Sequence, residues 1–340
     1  MSKTILVTGG TGLLGSYLLR YLVRDGHQNI RAIKRENSSM ALVEDVKNKI
    51  EWIDCDILDV PLLEDVMRGV QQVYHCAGMV SYQGKDRKLM FQVNVEGTAN
   101  IVNLGLDEGI EKLVHVSSIA ALGRRKNLIE TDEKTKWEKS ERNSQYGISK
   151  YQGEQEVWRG IAEGLNAIVI NPSIIMGSGF WDRGSAKFFR TISKGYPFYA
   201  SGGSGFVDVR DVCRMMIEMM ESEIVSQKFI ANSENLSYKN AFDTIAKSID
   251  RKPPSMPLNK FLGSLAWRVE WLRSRLTGGW AVITKETVAN SFHTHIYSNQ
   301  KSIDTFGFEY TPFEQTAIEV GRQFLEAKKN GMSPKVLPLI

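Results

Sequence analysis

Near its start the chain runs from a short β-rich segment, Thr4-Ile5-Leu6-Val7-Thr8, straight into Gly9-Gly10-Thr11-Gly12-Leu13-Leu14-Gly15. Leu14, Leu18, Leu19, Leu22 and Val23 then recur at helical spacing. A strand, three evenly spaced glycines and a helix leave few folds open. The first glycine makes a tight turn, the second lets backbone approach a pyrophosphate, and the third lets helix and sheet pack closely. Negative charge on a ligand then sits at the helix N-terminus, where unpaired N–H groups point outward. The loop predicts a dinucleotide held by Gly9, Gly12 and Gly15 and by the backbone of Leu13 and Leu14.

Behind this opening the first half of the chain alternates β-rich runs at 30–33, 50–53, 70–75, 113–117 and 167–170 with longer helical patterns. That alternation predicts an α/β fold, a doubly wound parallel sheet joined by crossover helices. From Asn171 the rhythm breaks, and Gly, Pro and aromatic residues crowd together over 172–205. Short strands are expected at 206–209 and 228–231 around a helix at 211–220. The expected organisation is a nucleotide-binding domain over 1–171, to which 206–232 returns, with a smaller substrate lobe from 172–205 and 233–340. No low-complexity tether separates the two, so the lobes are expected to interleave.

Forty-three Lys and Arg against thirty-nine Asp and Glu leave a net charge of +4, too small and too evenly spread for a nucleic-acid partner. Three well-separated cysteines, Cys55, Cys76 and Cys213, form neither a disulfide framework nor a zinc motif. The N-terminal apolar run is too short for a signal peptide, and no run approaches the ~18 residues of a spanning helix. The reading is a cytoplasmic protein without stable membrane insertion. Phe261, Leu265, Val269, Leu272 and Leu276 form a helical stripe among Arg268, Arg273 and Arg275. It is read as a core helix or a substrate lid in preference to a membrane-surface helix. His293 and His295 would share a face of a strand, yet no third ligand accompanies them, so no metal is expected.

Two further features carry chemistry. The second strand ends Ala32-Ile33-Lys34-Arg35, with no acid to take an adenosine ribose. Arg35 offers a planar donor fork to a 2′-phosphate, with Lys34 as a weaker candidate, so NADP is expected ahead of NAD. Tyr146 and Lys150 stand four residues apart, on one face of a helix, where a phenol and an ammonium can do acid/base work together. A nearby ammonium favours phenolate and lowers the tyrosine pKa. Ser117 and Ser118 end the fifth strand, at the carboxyl edge where ligands of such sheets bind.

Taken in order, these pieces resemble the extended short-chain dehydrogenases/reductases, the superfamily that includes nucleotide-sugar epimerases and dehydratases. The matching segments are the glycine loop, Asp54-Cys55-Asp56-Ile57, His75-Cys76-Ala77-Gly78, Asn94-Val95-Glu96-Gly97-Thr98, Val116-Ser117-Ser118, Tyr146 with Lys150, Asn171-Pro172-Ser173 and Phe206-Val207-Asp208-Val209. The resemblance covers nearly the whole chain and implies a Rossmann-type sheet with an interleaved substrate domain. It implies that Ser118, with Ser117 as fallback, hydrogen-bonds the substrate oxygen, that Tyr146 is the general acid/base, and that Lys150 lowers its pKa and binds the nicotinamide ribose. Asp56 and Ile57 would contact adenine, Ala77 and Gly78 would line the cofactor, and backbone after Pro172, at Ile175, would hold the nicotinamide amide. Asn94 is given a structural role. A homodimer through the fourth and fifth helices is also implied.

Within the superfamily the chain leans toward the dihydroflavonol-reductase-like and steroid-dehydrogenase-like branch. Its strand-two ending resembles theirs, and Gly205 stands where many nucleotide-sugar enzymes place an arginine for the diphosphate. The expected activity is an NADP-dependent reductase or dehydrogenase interconverting a carbonyl and a secondary alcohol on a small apolar or aromatic substrate. The alternatives are a nucleotide-sugar epimerase or dehydratase with tightly bound NAD, and a non-catalytic NAD(P) sensor. The aromatic residues Phe180, Trp181, Phe188, Phe189, Tyr196, Phe198 and Tyr199 are expected partly in the core and partly on the substrate wall. Arg124, Arg125 and Lys126 would attract an anionic substrate group or simply be solvated.

Overall fold

The computed structural model describes residues 3–124, 130–259, 263, 267–268, 286, 288 and 291–340. Most of the stripe expected at 261–276, together with Arg125 and Lys126, lies outside the described residues. The first strand, β1 (Ile5–Thr8), is fully buried, as four successive apolar or β-branched residues require of a strand covered on both faces. It is followed by α1 (Leu13–Arg24), β2 (Ile30–Lys34), β3 (Glu51–Asp54), α2 (Val60–Met67) and β4 (Gln72–His75). Then come α3 (Arg87–Phe91), α4 (Gly97–Asp107), β5 (Lys112–Val116), α5 (Gln145–Ala162) and β6 (Ala167–Pro172).

After β6 the chain makes β7 (Ile174–Met176), α6 (Lys187–Ser193), β8 (Phe198–Tyr199), β9 (Gly203–Asp208), α7 (Val209–Glu221) and β10 (Gln227–Ala231). The remaining described elements are β11 (Glu234–Ser237), α8 (Tyr238–Ser248), β12 (Met256–Pro257), α9 (Gln300–Phe306) and α10 (Phe313–Lys329). Seven strands form one parallel sheet in the order β10-β6-β5-β4-β1-β2-β3. The strand order reverses between β1 and β4, and at that switch point the carboxyl edge opens a crevice for a ligand. The doubly wound sheet read from the sequence is therefore present, with β10 as its seventh strand.

A three-stranded sheet, β11-β9-β7, and the short pair β12-β8 stand apart from it. Phe206 to Asp208 thus belong to the small sheet through β9, whereas Gln227–Ala231 pairs with β6 in the large one. Buried charge ties the small sheet to α7 and α10. Asp208 caps α7 by accepting from the Arg210 backbone at 2.8 Å, and it also takes the Arg210 guanidinium and the Thr316 hydroxyl of α10. Arg210 is 1 % exposed and completes its pairing with Glu319, so neither charge is left desolvated without a partner.

Two contacts fix the helices that matter for the site. Between α3 and α4 a π-helical turn, Gln92–Glu96, frees the Asn94 carbonyl, and a Cβ at Gly153 would lie 2.1 Å from it. Only glycine lets α5 come so close. On the other side of the sheet, the Tyr17 hydroxyl of α1 donates to the Ser178 carbonyl and accepts from the Leu337 backbone, which pins a distant segment onto the first helix.

Candidate active site

Each glycine of the loop has a separate reason to lack a side chain. Gly9 adopts φ +69°, and a Cβ there would meet the Cys76–Ala77 backbone at 2.8 Å. At Gly15 a Cβ would stand 2.3 Å from the Gly9 carbonyl oxygen, so the third glycine lets α1 touch the turn. Gly12 is different: its Cβ would approach only the Gly9 oxygen, at 3.2 Å. Protein packing does not demand glycine at that position, and the space in front of it is part of a groove of about 1010 Å³. Gly12 is also the N-cap of α1 and supplies no side-chain cap, leaving the first-turn N–H groups of Leu13 and Leu14 free for phosphate.

That groove gathers several sequence candidates. Gly12, Arg35, Asp56 and Gly78 line it together with Ser38 and Ser39. Thr8 holds one wall in place, because its hydroxyl accepts from the Ala77 backbone at 3.1 Å and contacts His75 Nδ1 at 2.7 Å. Ile57 lies just behind, buried, and its side chain fills the space where Gly97 has no Cβ. Lys34 does not line the groove: its ammonium pairs with Asp54 of the adjoining strand, which leaves exposed Arg35 as the cation at the end of β2. Phe180 and Arg183 also reach this groove, with the Arg183 guanidinium 4.3 Å from the Phe180 ring centroid. Phe180 was expected on the substrate wall, and Arg183 was not singled out. Trp181 and Phe189 are buried core against Phe324.

Beyond Gly78, at the carboxyl ends of β4 and β5, stand the three residues expected to do chemistry. Ser118 caps the turn after β5, its hydroxyl accepting from the Ala120 backbone at 3.1 Å, and it stands near enough to the Tyr146 phenol to act on it. Tyr146 is the second residue of α5, whose N-cap Ser144 accepts from the Gly147 backbone at 2.9 Å. Burial pushes the Tyr146 pKa up, and the Ser118 hydroxyl pulls it down. Lys150, 4 % exposed, sends its Nζ to the Val116 carbonyl at 2.8 Å, and burial lowers its pKa to about 8. A Cβ at Gly78 would be 3.8 Å from that Nζ, so Lys150 looks onto the cofactor groove. The counterweight to burial at Tyr146 is thus the neighbouring serine and not, as expected, the lysine, whose ammonium is turned toward the end of β5.

The adjacent serines have opposite duties. Ser117 donates to buried Glu154 at 2.8 Å, and Asn171 Nδ2 joins the same carboxylate oxygen at 2.9 Å. Ser117 therefore braces α5 against β5 and β6, leaving Ser118 as the serine at the phenol. Asn94 is likewise structural: its amide exchanges hydrogen bonds with both backbone groups of Met79 and donates to Ser149. Pro172 ends β6 opposite Ala231, and Ile175 lies in β7 opposite Val207, one strand from the central sheet.

Around Tyr146 the wall is phenolic. The Tyr82 ring meets it edge-on at 6.0 Å, and Tyr238 and Tyr297 lie within electrostatic range of Tyr82 or of one another. These three were not selected from the sequence, and nothing in their spacing could have joined them. Arg124 faces all three, and its charge opposes the rise that burial imposes on each phenol. His293 and His295 sit side by side at 6.4 Å between ring centroids, with His295 lowered to about 4 by burial and by the nearby cations.

The model of the NAD dependent epimerase/dehydratase family matches residues 5–230, which span the glycine loop, the Ser118–Tyr146–Lys150 cluster and all seven strands of the large sheet. The chain belongs to that family. Among similar proteins, a putative dihydroflavonol 4-reductase of Synechocystis is 27 % identical over 333 residues, 95 % of either chain. Sterol demethylase protein B of Methylococcus capsulatus is 30 % identical over 238 residues, covering 68 % of this chain and 70 % of that one. The crystal structure of gox2253 superposes with a TM-score of 0.81 at 29 % identity, covering 97 % of this chain and 99 % of the other. As a member of this family the chain is an NAD(P)-binding oxidoreductase with an extended Rossmann-type fold. Among the described residues no helix is long and apolar enough to cross a membrane.

Proposed function

We propose that the protein is an NADP-dependent reductase interconverting a carbonyl and a secondary alcohol on an apolar or aromatic substrate. The observation that carries this reading is the cluster at the carboxyl edge of the sheet: Ser118 beside Tyr146, with the Lys150 ammonium next to Gly78. The glycine cradle, with open space in front of Gly12 and unoccupied N–H groups behind it, fits a dinucleotide pyrophosphate. Arg35, with Ser38 and Ser39, fits a ribose 2′-phosphate. A bound nicotinamide supplies the hydride to a carbonyl carbon or accepts it from an alcohol. Tyr146 gives its proton to the oxygen in one direction and takes it back in the other. Ser118 donates to that same oxygen and fixes its orientation, while Lys150 holds the nicotinamide-side ribose.

A nucleotide-sugar reading is disfavoured by Gly205. A side chain there would begin 2.1 Å from Asn232 Oδ1 and 2.9 Å from the Ser173 Cβ, so no arginine can occupy the place where a diphosphate would need one. The similarity to a putative dihydroflavonol 4-reductase supports the reductase reading over its full length. The test is calorimetric titration of cofactor-free protein with NADPH, NADP, NADH and NAD, followed by NADPH consumption assays on aromatic aldehydes and ketones. Preference for the phosphorylated pair together with turnover is expected. Purified protein that carries tightly bound NAD and turns over no aldehyde or ketone would overturn the proposal in favour of an epimerase or dehydratase.

A further inference from the structure

Arg124 is placed by its backbone and not by a carboxylate. Ser118 opens a short 3-10 turn, Ile119–Leu122, that ends at Gly123 with φ +79°, and Arg124 is the next residue. Its N–H donates to Asn143 Oδ1 at 2.9 Å, which fastens it beside the start of α5, three residues before Tyr146. Its guanidinium lies near the Tyr297 hydroxyl and pulls that phenol's pKa down against burial. Tyr297 is itself rigidly held: its N–H donates to Asn235 Oδ1 at 2.9 Å, its carbonyl accepts from Asn232 and Asn235, and it bridges to Thr131.

One nitrogen is left over. Arg124 Nη1 is buried and has no hydrogen-bond partner among the described residues. A buried, unsatisfied donor on a charged group costs more than a neutral one, so a cation kept in this state is a strong attractor for an anionic acceptor. The titratable groups within electrostatic range of this guanidinium are the phenols Tyr82, Tyr238 and Tyr297, the imidazole of His295 and the carboxyl of Glu286. Burial raises the Glu286 pKa, and its Oε1 is already taken by the Gln145 backbone N–H. It caps α5 and does not satisfy Nη1. Tyr82 touches both sides of the problem, since its ring meets Tyr146 edge-on at 6.0 Å and it also feels the Arg124 charge.

We propose that Arg124 is the specificity residue of the substrate pocket and that the substrate is a carbonyl or alcohol compound bearing a carboxylate, which Nη1 receives while the reacting oxygen lies between Ser118 and Tyr146. A single unpartnered guanidinium nitrogen close to phenols suits a planar monoanion, and the phenol rings supply apolar surface for the body of the molecule. This inference rests on the reductase reading for the reacting group, but the anion site itself can be tested without turnover.

Two paired measurements separate the claims. With saturating NADPH, kcat/KM is compared for 4-carboxybenzaldehyde and benzaldehyde. In parallel, benzoate and benzamide are titrated into NADP-loaded protein by calorimetry. The wild type is expected to favour the carboxylate member of each pair by about tenfold or more, the size of one charge-assisted hydrogen bond. In Arg124→Gln both ratios should fall toward one, while NADPH affinity reports that the fold is intact. Arg124→Lys keeps the charge but loses the planar fork, and its ratios should lie between. If the Gln variant fails to hold NADPH, the Lys variant decides, and an undiminished ratio there overturns the proposal. Equal affinity for benzoate and benzamide in the wild type also overturns it. Benzoate preference that depends on Arg124, with no turnover of either aldehyde, would keep the anion site and reject the reductase reading. Turnover without carboxylate preference would do the reverse.

Discussion

Two arginines, Arg35 in the groove and Arg124 near the Tyr82 and Tyr297 phenols, are held in opposite ways. Arg35 is exposed at the tip of β2, next to serines and facing water. Arg124 has a buried guanidinium nitrogen and is fixed through Asn143 and Tyr297. An exposed cation attracts a phosphate cheaply, because little water has to be removed, but the attraction is screened by salt. A buried cation acts over a short range and strongly, and it discriminates, because every wrong partner leaves a donor unsatisfied. The contrast suits the two tasks: a cofactor that comes and goes, and a substrate that must be chosen.

The comparison can be pressed hardest at the hydride end. Tyr146→Phe removes the transferable proton while leaving the ring, and turnover should drop by roughly 10²–10⁴-fold with NADPH affinity retained. Stopped-flow NADPH oxidation with the best aldehyde measures it, and a variant with wild-type turnover would remove Tyr146 from the chemistry. At the exposed end, Arg35→Ala should weaken NADPH about tenfold and leave NADH unchanged. The wild-type preference should also shrink as salt rises from about 0.05 M to 0.5 M. A preference indifferent to salt would mean that the phosphate is read by a buried group instead.

Ser117 and Ser118 give a finer version of the same contrast. Ser117→Ala strips a hydrogen bond from the buried Glu154 carboxylate and should cost about 1–3 kcal/mol of stability in urea unfolding, with kcat little changed. Ser118→Ala should do the opposite. Last comes a pH effect of Lys150. Its folded pKa, about 8, is below the ordinary 10.5, so between those values the unfolded chain binds the extra proton. Unfolding free energy should therefore rise with pH across that window relative to Lys150→Met. A flat difference would show that the ammonium is less desolvated than its position implies.

The sheet and the glycine loop were legible because they are local: strand, turn and helix signals sit within about twenty residues of one another, although the Gly9 contact with the Cys76–Ala77 backbone is not local. The Ser118, Tyr146 and Lys150 cluster was legible for a related reason, since the carboxyl ends of parallel strands share an edge and a four-residue spacing shares a helix face. The phenolic wall was not. Tyr82, Tyr238 and Tyr297 come from a loop, a helix start and an irregular segment, and only tertiary packing brings them to Arg124. The pairing of Lys34 with Asp54 was not legible either, because it depends on the β2–β3 register, which sequence spacing does not reveal. Arg183 escaped notice since the chain folds back from the far lobe to reach the cofactor groove.

The bond between the Tyr17 hydroxyl and the Leu337 backbone sets a schedule for making the protein. The helix that follows the glycine loop is made before the segment that seats it, which is translated some three hundred residues later. At roughly 5–20 residues per second, that interval is on the order of tens of seconds. For that time the Tyr17 hydroxyl lacks the Leu337 N–H that it accepts from in the folded chain, so this flank of the first helix is completed last.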